Sequence, residues 1–207
     1  DLLEPLVKRT RQLITKSSVI NTDDTPIPIK SKTGKGSTYN GYLWVYIGDK
    51  KHIMFDFTPT RSRQGPINFI GKDYNGYVQA DAYSGYDELF RISDATEVGC
   101  NAHARRKFEY ALDSDPVRAA GMMVLWGRLY DIEKRAKQDN YSDEKLLAAR
   151  QTEALPVFEE IKSALKEYKN QVLPKSPMCK AITYALNQWN ALVRYTSDPR
   201  LSIDNNI

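Results

Sequence analysis

Three aspartates, Asp23, Asp24 and Asp81, stand where their carboxylates could do metal chemistry. Asp23 and Asp24 fall within "SVINTDDTPIPI", which reads as a strand. Asp81 closes "GYVQAD", another strand, just before the turn Ala82-Tyr83-Ser84-Gly85-Tyr86. If those two strands are neighbours in one sheet, the carboxylates converge from distant parts of the chain. Carboxylates gathered at one point repel each other unless a cation holds them. Hard oxygen ligands suit Mg2+ or Mn2+. Two such ions, about 3.5–4 Å apart, can activate a nucleophile and stabilise the leaving oxygen of a phosphodiester. The competing reading is structural, because Asp commonly caps strands and starts turns. Neighbouring strand residues point to opposite faces, so only one of Asp23 and Asp24 should reach a metal, and periodicity does not choose between them.

A second group lies in "CNAHARRKF". Cys100 and His103 make a C-x-x-H pair, but the chain's only other Cys and His are Cys179 and His52. Structural zinc normally takes four ligands, so none is expected. A Cys–His nucleophile lacks an oriented third group. His103 reads equally as a neighbour of the metals or as a buried, hydrogen-bonded histidine. Arg105, Arg106 and Lys107 follow on the same helix and suit phosphate contacts or a plain solvated face. Lys30, Lys32 and Lys35, with Arg61 and Arg63, are further phosphate candidates. The loop "KTGKGST" lacks the G-x-x-x-x-G-K-[ST] spacing of a nucleotide cradle.

The elements that must position these residues follow from pattern. Residues 1–16 read as an amphipathic helix with Leu2, Leu3, Leu6 and Leu13 as its apolar positions. The first strand should end its central part near Thr25, since Pro26 and Pro28 cannot donate to a ladder. "YLWVYIG" and "HIMFDFT" are strands joined by a hairpin at Gly48-Asp49-Lys50-Lys51. A short helix is expected in "SRQGPINFIGKD", and a last strand at "ATEVGC". From about Ala102 the period becomes helical. Val117, Val124, Leu125, Leu129 and Ile132 are the expected stripe of one long helix. Ser142 caps a helix that Pro156 should kink or split, and Ser176 with Pro177 opens the next. In that last helix Met178, Ile182, Ala185, Leu186, Trp189, Leu192 and Val193 form the expected buried face. Three antiparallel strands followed by parallel crossovers make a mixed sheet, in the order expected of a ribonuclease-H-like fold.

Composition sets outer bounds. The chain has 207 residues, 41% apolar and 27% charged, as in an ordinary globular protein. A net charge of +4 permits nucleic-acid binding without requiring it. Two cysteines allow no disulfide framework, so a reducing cytoplasm is expected. No apolar run is long enough to predict a membrane span. The first residue is Asp1 and the last residues are "SDPRLSIDNNI", as in a piece of a longer protein.

"VINTDDTPIPI", "GYLWVYIGD", "FDFTPTRS", "GYVQADAYSGYDELF", "GCNAHARRKFEYA" and "SDPRLSIDNNI" resemble, in order and spacing, consecutive blocks of the insertion-sequence-66 family of bacterial transposases. The resemblance implies a DDE-class enzyme on a ribonuclease-H-like fold, with Asp23 and Asp81 as catalytic aspartates and ligands of two Mg2+ or Mn2+ ions. In the family's pattern a glutamate follows the Asp-Asn-Asn run. Residues 204–207 read Asp-Asn-Asn-Ile, so this chain is expected to lack that ligand and to be inactive by itself. The resemblance also implies a catalytic core at 1–113, a helical insert at 114–195 and a return to the core at 196–207. DNA is the implied partner, a homo-oligomer the implied active form, and the bacterial cytoplasm the implied location. The rivals are a nuclease or resolvase on the same fold and a non-catalytic DNA-binding fragment.

Overall fold

The structure is a computed structural model that describes residues 2–30 and 38–206. Lys32 and Lys35, and with them the Gly-rich loop, lie outside the described residues. Contacts divide the chain into two compact units, 1–97 with 205–207, and 98–204. The division falls well before the boundary expected at 113/114, because the helix that follows the last strand packs against later helices.

The first unit is built on a mixed sheet. Strands β1 (Val19–Lys30), β2 (Thr38–Gly48), β3 (His52–Thr58), β4 (Tyr77–Ala80) and β5 (Thr96–Gly99) stand in the order β3-β2-β1-β4-β5. β1 and β2 pair antiparallel, as do β2 and β3, whereas β1 and β4 run parallel. The β2–β3 hairpin turns on Asp49 and Lys50, both at positive φ (46° and 57°). Two successive positive φ values match the right-handed twist of the flanking strands. The Asp49 carboxylate also accepts the backbone N–H groups of Ser18 and Val19.

β1 runs through Pro26 and Pro28 to Lys30, beyond its expected end. Only Val19–Asn21 pair with β4, while β2 pairs along the strand from Ile20 to Lys30. Beyond Asn21 one edge of β1 is therefore uncovered by β4. Two prolines at alternate positions present their nitrogens to one edge, and no ladder bond is lost if that edge is the uncovered one.

One face of this sheet carries Ile20, Trp44, Tyr46 and Val78 into the unit's core. Helix α1 (Glu4–Ile14), helix α2 (Gln64–Ile70) and helix α3 (Asp87–Ile92) supply Ile14, Phe69, Ile70 and Leu89 to the same core. Tyr46 stacks on Phe69 at 3.7 Å. Of the apolar positions named for this helix Leu2, Leu3 and Leu6 are exposed and Leu13 is partly buried, and Ile14 is the fully buried residue.

The second unit is helical: α4 (Asn101–Glu109), α5 (Pro116–Gln138), α6 (Asp143–Ala149), α7 (Leu155–Lys169), α8 (Pro177–Asn187) and α9 (Trp189–Val193). The α5 stripe differs from expectation. Val117 and Val124 are exposed, and the buried line is Ala119, Met122, Trp126, Leu129, Ile132 and Ala136. That line keeps helical spacing and includes two alanines, Ala119 and Ala136. On α8 and α9 Met178, Ile182, Ala185, Trp189 and Leu192 are buried as expected, whereas Leu186 and Val193 are only partly so. Pro156 neither breaks the helix nor leaves it regular. A π-turn, Arg150–Ala154, sits between α6 and α7. Proline lacks an N–H and crowds the preceding turn, and a wider turn accommodates both. Ser142 and Ser176 cap α6 and α8, each accepting a backbone N–H three residues on.

Candidate metal-binding carboxylates and their arginine clamp

Asp23 and Asp24 face opposite sides of β1, as neighbours in a strand must. Asp24 pairs in register with Trp44 and so shares the core-facing side, while Asp23 pairs with Val45 on the other side. Asp81 follows β4 directly. Because β4 lies beside β1, the chain delivers Asp81 next to Asp23: carboxylate oxygens of the two come within 4.8 Å of each other.

Asp24 is committed elsewhere. Its side chain is 3% exposed and is gripped by Arg61, with Nε 3.0 Å from both carboxylate oxygens and Nη2 2.8 Å from Oδ1. The same Nη2 donates to Asp81 Oδ2 at 3.2 Å. Burial raises the Asp24 pKa above its ordinary value. The Arg61 hydrogen bond and charge pull it back, and Asp81 and Asp23 add repulsion. Burial works against the Arg61 charge, but Asp24 and Asp81 outweigh it and raise its pKa.

Asp81 is held from a second side. Its Oδ1 accepts the backbone N–H of Tyr83 at 3.2 Å. The structural reading of this aspartate, a turn cap, is thus present together with the charged contact. The Tyr83 ring lies under the Arg61 guanidinium at 3.9 Å, and its hydroxyl donates to the Arg61 carbonyl. Tyr83 packs in turn near Trp44 and edge-on to Tyr86. Gly85 permits this fold of the turn, since a Cβ there would meet the Tyr83 ring at 2.1 Å. Deeper in the sheet Tyr86 and Thr22 share a hydrogen bond, and Asn21 Nδ2 donates to Gln79 Oε1 at 2.9 Å across the parallel pair. The C-terminal residues reach the same strand: Asn205 Nδ2 donates to the Thr22 carbonyl at 3.1 Å.

The pair Asp23–Asp81 fits a hard divalent cation. Both donors are carboxylate oxygens, they lie close enough to share an ion, and Asp23 makes no ion pair with Arg61.

Cys100, His103, Arg105, Arg106 and Lys107 belong to the helical unit. Cys100 precedes α4 and is fully buried, which does not suit a nucleophile. His103 is partly buried on α4, and among the described residues its Nδ1 has no hydrogen-bond partner. Arg106 is exposed and Arg105 half-buried, whereas Lys107 lies 4.4 Å over the Tyr184 ring. Asn101, which pattern reasoning passed over, is fully buried and densely bonded. Its backbone N–H and Nδ2 both donate to the Ile203 carbonyl, Nδ2 also to that of Leu192, and its Oδ1 accepts from Trp126. Arg61 was visible in sequence only as a possible phosphate contact. The run "FDFTPTRS" carries no signal that its arginine turns back onto carboxylates of two other strands.

Comparison with known proteins agrees with the block order. The chain matches the family described as "Transposase IS66 family" over residues 1–207. It therefore belongs to the IS66 transposase family. Three proteins of Sinorhizobium fredii (strain NBRC 101917 / NGR234) are similar to it, each described as uncharacterized. Protein y4jD is 27% identical over 99% of this chain and 42% of its own length. Protein y4qI is 31% identical over 89% of this chain and 36% of its own, and y4hP is 25% identical over 89% and 37%. The chain thus spans less than half the length of these relatives. Among the described residues no helix is long and apolar enough to cross a membrane.

Proposed function

We propose that residues 1–207 form the catalytic part of a DDE-class DNA transposase on a ribonuclease-H-like sheet, working in the bacterial cytoplasm as a homo-oligomer on paired transposon ends. The observation that carries this reading is the approach of Asp23 to Asp81 from separate strands, in a chain of the IS66 transposase family. Asp23 and Asp81 are the proposed ligands of a pair of Mg2+ or Mn2+ ions. Bound there, the ions would supply an activated nucleophile and charge stabilisation for phosphodiester cleavage. Asp23 presents its carboxylate on the side of β1 away from the core, and Asp81 is oriented by Tyr83 and Arg61. Asp24 serves as the anchor of Arg61.

DNA is the proposed substrate, first hydrolysed at the transposon end and then joined to target through the freed 3′-hydroxyl. Arg105 and Arg106 on α4 are proposed phosphate contacts, and Lys35 another. The full-length protein should cut transposon-end DNA in Mg2+ and yield joined products. Asp81→Asn should abolish both. Undiminished cleavage by that variant refutes the assignment, and cleavage without joined products selects the nuclease reading instead.

A further inference from the structure

The geometry points to Arg61 as the positioning residue of the metal site, holding Asp81 in its ligand orientation through an anchor on Asp24. The inference rests on the proposed roles of Asp23 and Asp81. Arg61 makes three hydrogen bonds to Asp24 and one to Asp81, so the weaker arm hangs from a firm one. Its plane is set by the Tyr83 ring at 3.9 Å, and Tyr83 supplies the second donor to Asp81. Both Asp81 oxygens are therefore fixed by one connected group, Asp24–Arg61–Tyr83. A side chain needed only to neutralise Asp24 would have no reason to reach the second carboxylate or to stack on the residue that caps it. The planar fork matters as well as the charge, because one nitrogen, Nη2, serves both carboxylates. Residues that orient metal-ligating groups typically change metal affinity about 10- to 100-fold when removed.

The test is Mn2+ binding to the full-length protein, read from loss of the free-ion EPR signal, for wild type, Arg61→Gln, Arg61→Lys and Asp81→Asn. Arg61→Gln should weaken binding about tenfold or more. Arg61→Lys should recover only part of the loss, since an ammonium cannot reproduce the fork. The number of ions bound at saturation and the folded circular-dichroism spectrum should stay at wild-type values, which a general structural defect would not allow, while the thermal midpoint of Arg61→Gln falls because the buried Asp24 loses its partner. Affinity equal to or tighter than wild type in Arg61→Gln overturns the inference and makes Arg61 a competing cation. If Arg61→Gln fails to fold, the lysine variant decides: wild-type affinity there overturns the proposal equally. If wild type and Asp81→Asn bind Mn2+ alike, the underlying assignment of the metal site fails, not the role of Arg61 alone.

Discussion

Two arginines show how differently the two units use a buried guanidinium. Arg150, at the π-turn of the helical unit, is 2% exposed and uses every donor on internal partners. Its Nε and Nη2 pair with Glu133 at 2.8 Å, and the remaining N–H groups go to the carbonyls of Tyr195, Asp198 and Leu201. Arg61 also pairs through two nitrogens with a buried carboxylate, but its side chain is one-third exposed, and its Nη1 makes no hydrogen bond among the described residues. The first arginine closes a structure. The second stops short of closure and touches a carboxylate that could serve another ligand. A buried charge with all donors satisfied acts as a staple, whereas the one shared between two acids is, in the function proposed above, a setting for the metal site.

The comparison can be broken at several points. The largest effect belongs to the site: Asp81→Asn in the full-length protein should lose Mg2+-dependent cleavage while its thermal midpoint holds. A matching loss of stability would make Asp81 a structural residue and dissolve the contrast. Next comes the staple. Removing the partner of Arg150 by Glu133→Ala strands a buried charge and should cost about 3–5 kcal/mol in urea unfolding. A cost near zero would mean that the three carbonyls suffice to hold Arg150. Trp126→Ala should cost a similar amount, about 3–5 kcal/mol, since its ring stacks on Phe108 at 5.1 Å and its N–H serves Asn101. Asp24→Ala should cost less, toward the low end of about 1.5–3 kcal/mol, because Arg61 can turn to water. Equal costs for Glu133→Ala and Asp24→Ala would erase the distinction between the two arginines. Smallest of all, Arg128→Ala should change stability by less than about 1 kcal/mol, since both Arg128 and Glu160 are half exposed.

Much of this arrangement was legible in the sequence. The aromatic and β-branched runs "YLWVYIG" and "HIMFDFT", with Gly48-Asp49-Lys50-Lys51 between them, located the hairpin, and the Ser142 and Ser176 caps marked helix starts. Asp81 was recognisable at a strand end. The misreadings share one cause. Val117 and Val124 on α5, and Leu2, Leu3 and Leu6 on α1, are as apolar as any core residue, but pattern does not say which apolar stripe meets a partner. Ala119 and Ala136 are buried although alanine is only weakly apolar, a fact of tertiary packing rather than of hydrophobicity. Likewise the prolines of β1 are tolerated because β4 is short, which depends on a strand far along the chain.

The candidate site divides in the same way. Strand periodicity by itself determined that Asp23 and Asp24 point apart, because side chains alternate across a pleated strand. It could not say which of them is committed. That was decided by the tertiary structure, where Arg61, brought back from beyond β3, takes Asp24 with a two-nitrogen grip and leaves Asp23 beside Asp81. The physical reason is range: local pattern reflects the steric rules of one strand, whereas the fate of a carboxylate depends on which distant cation the fold carries to it.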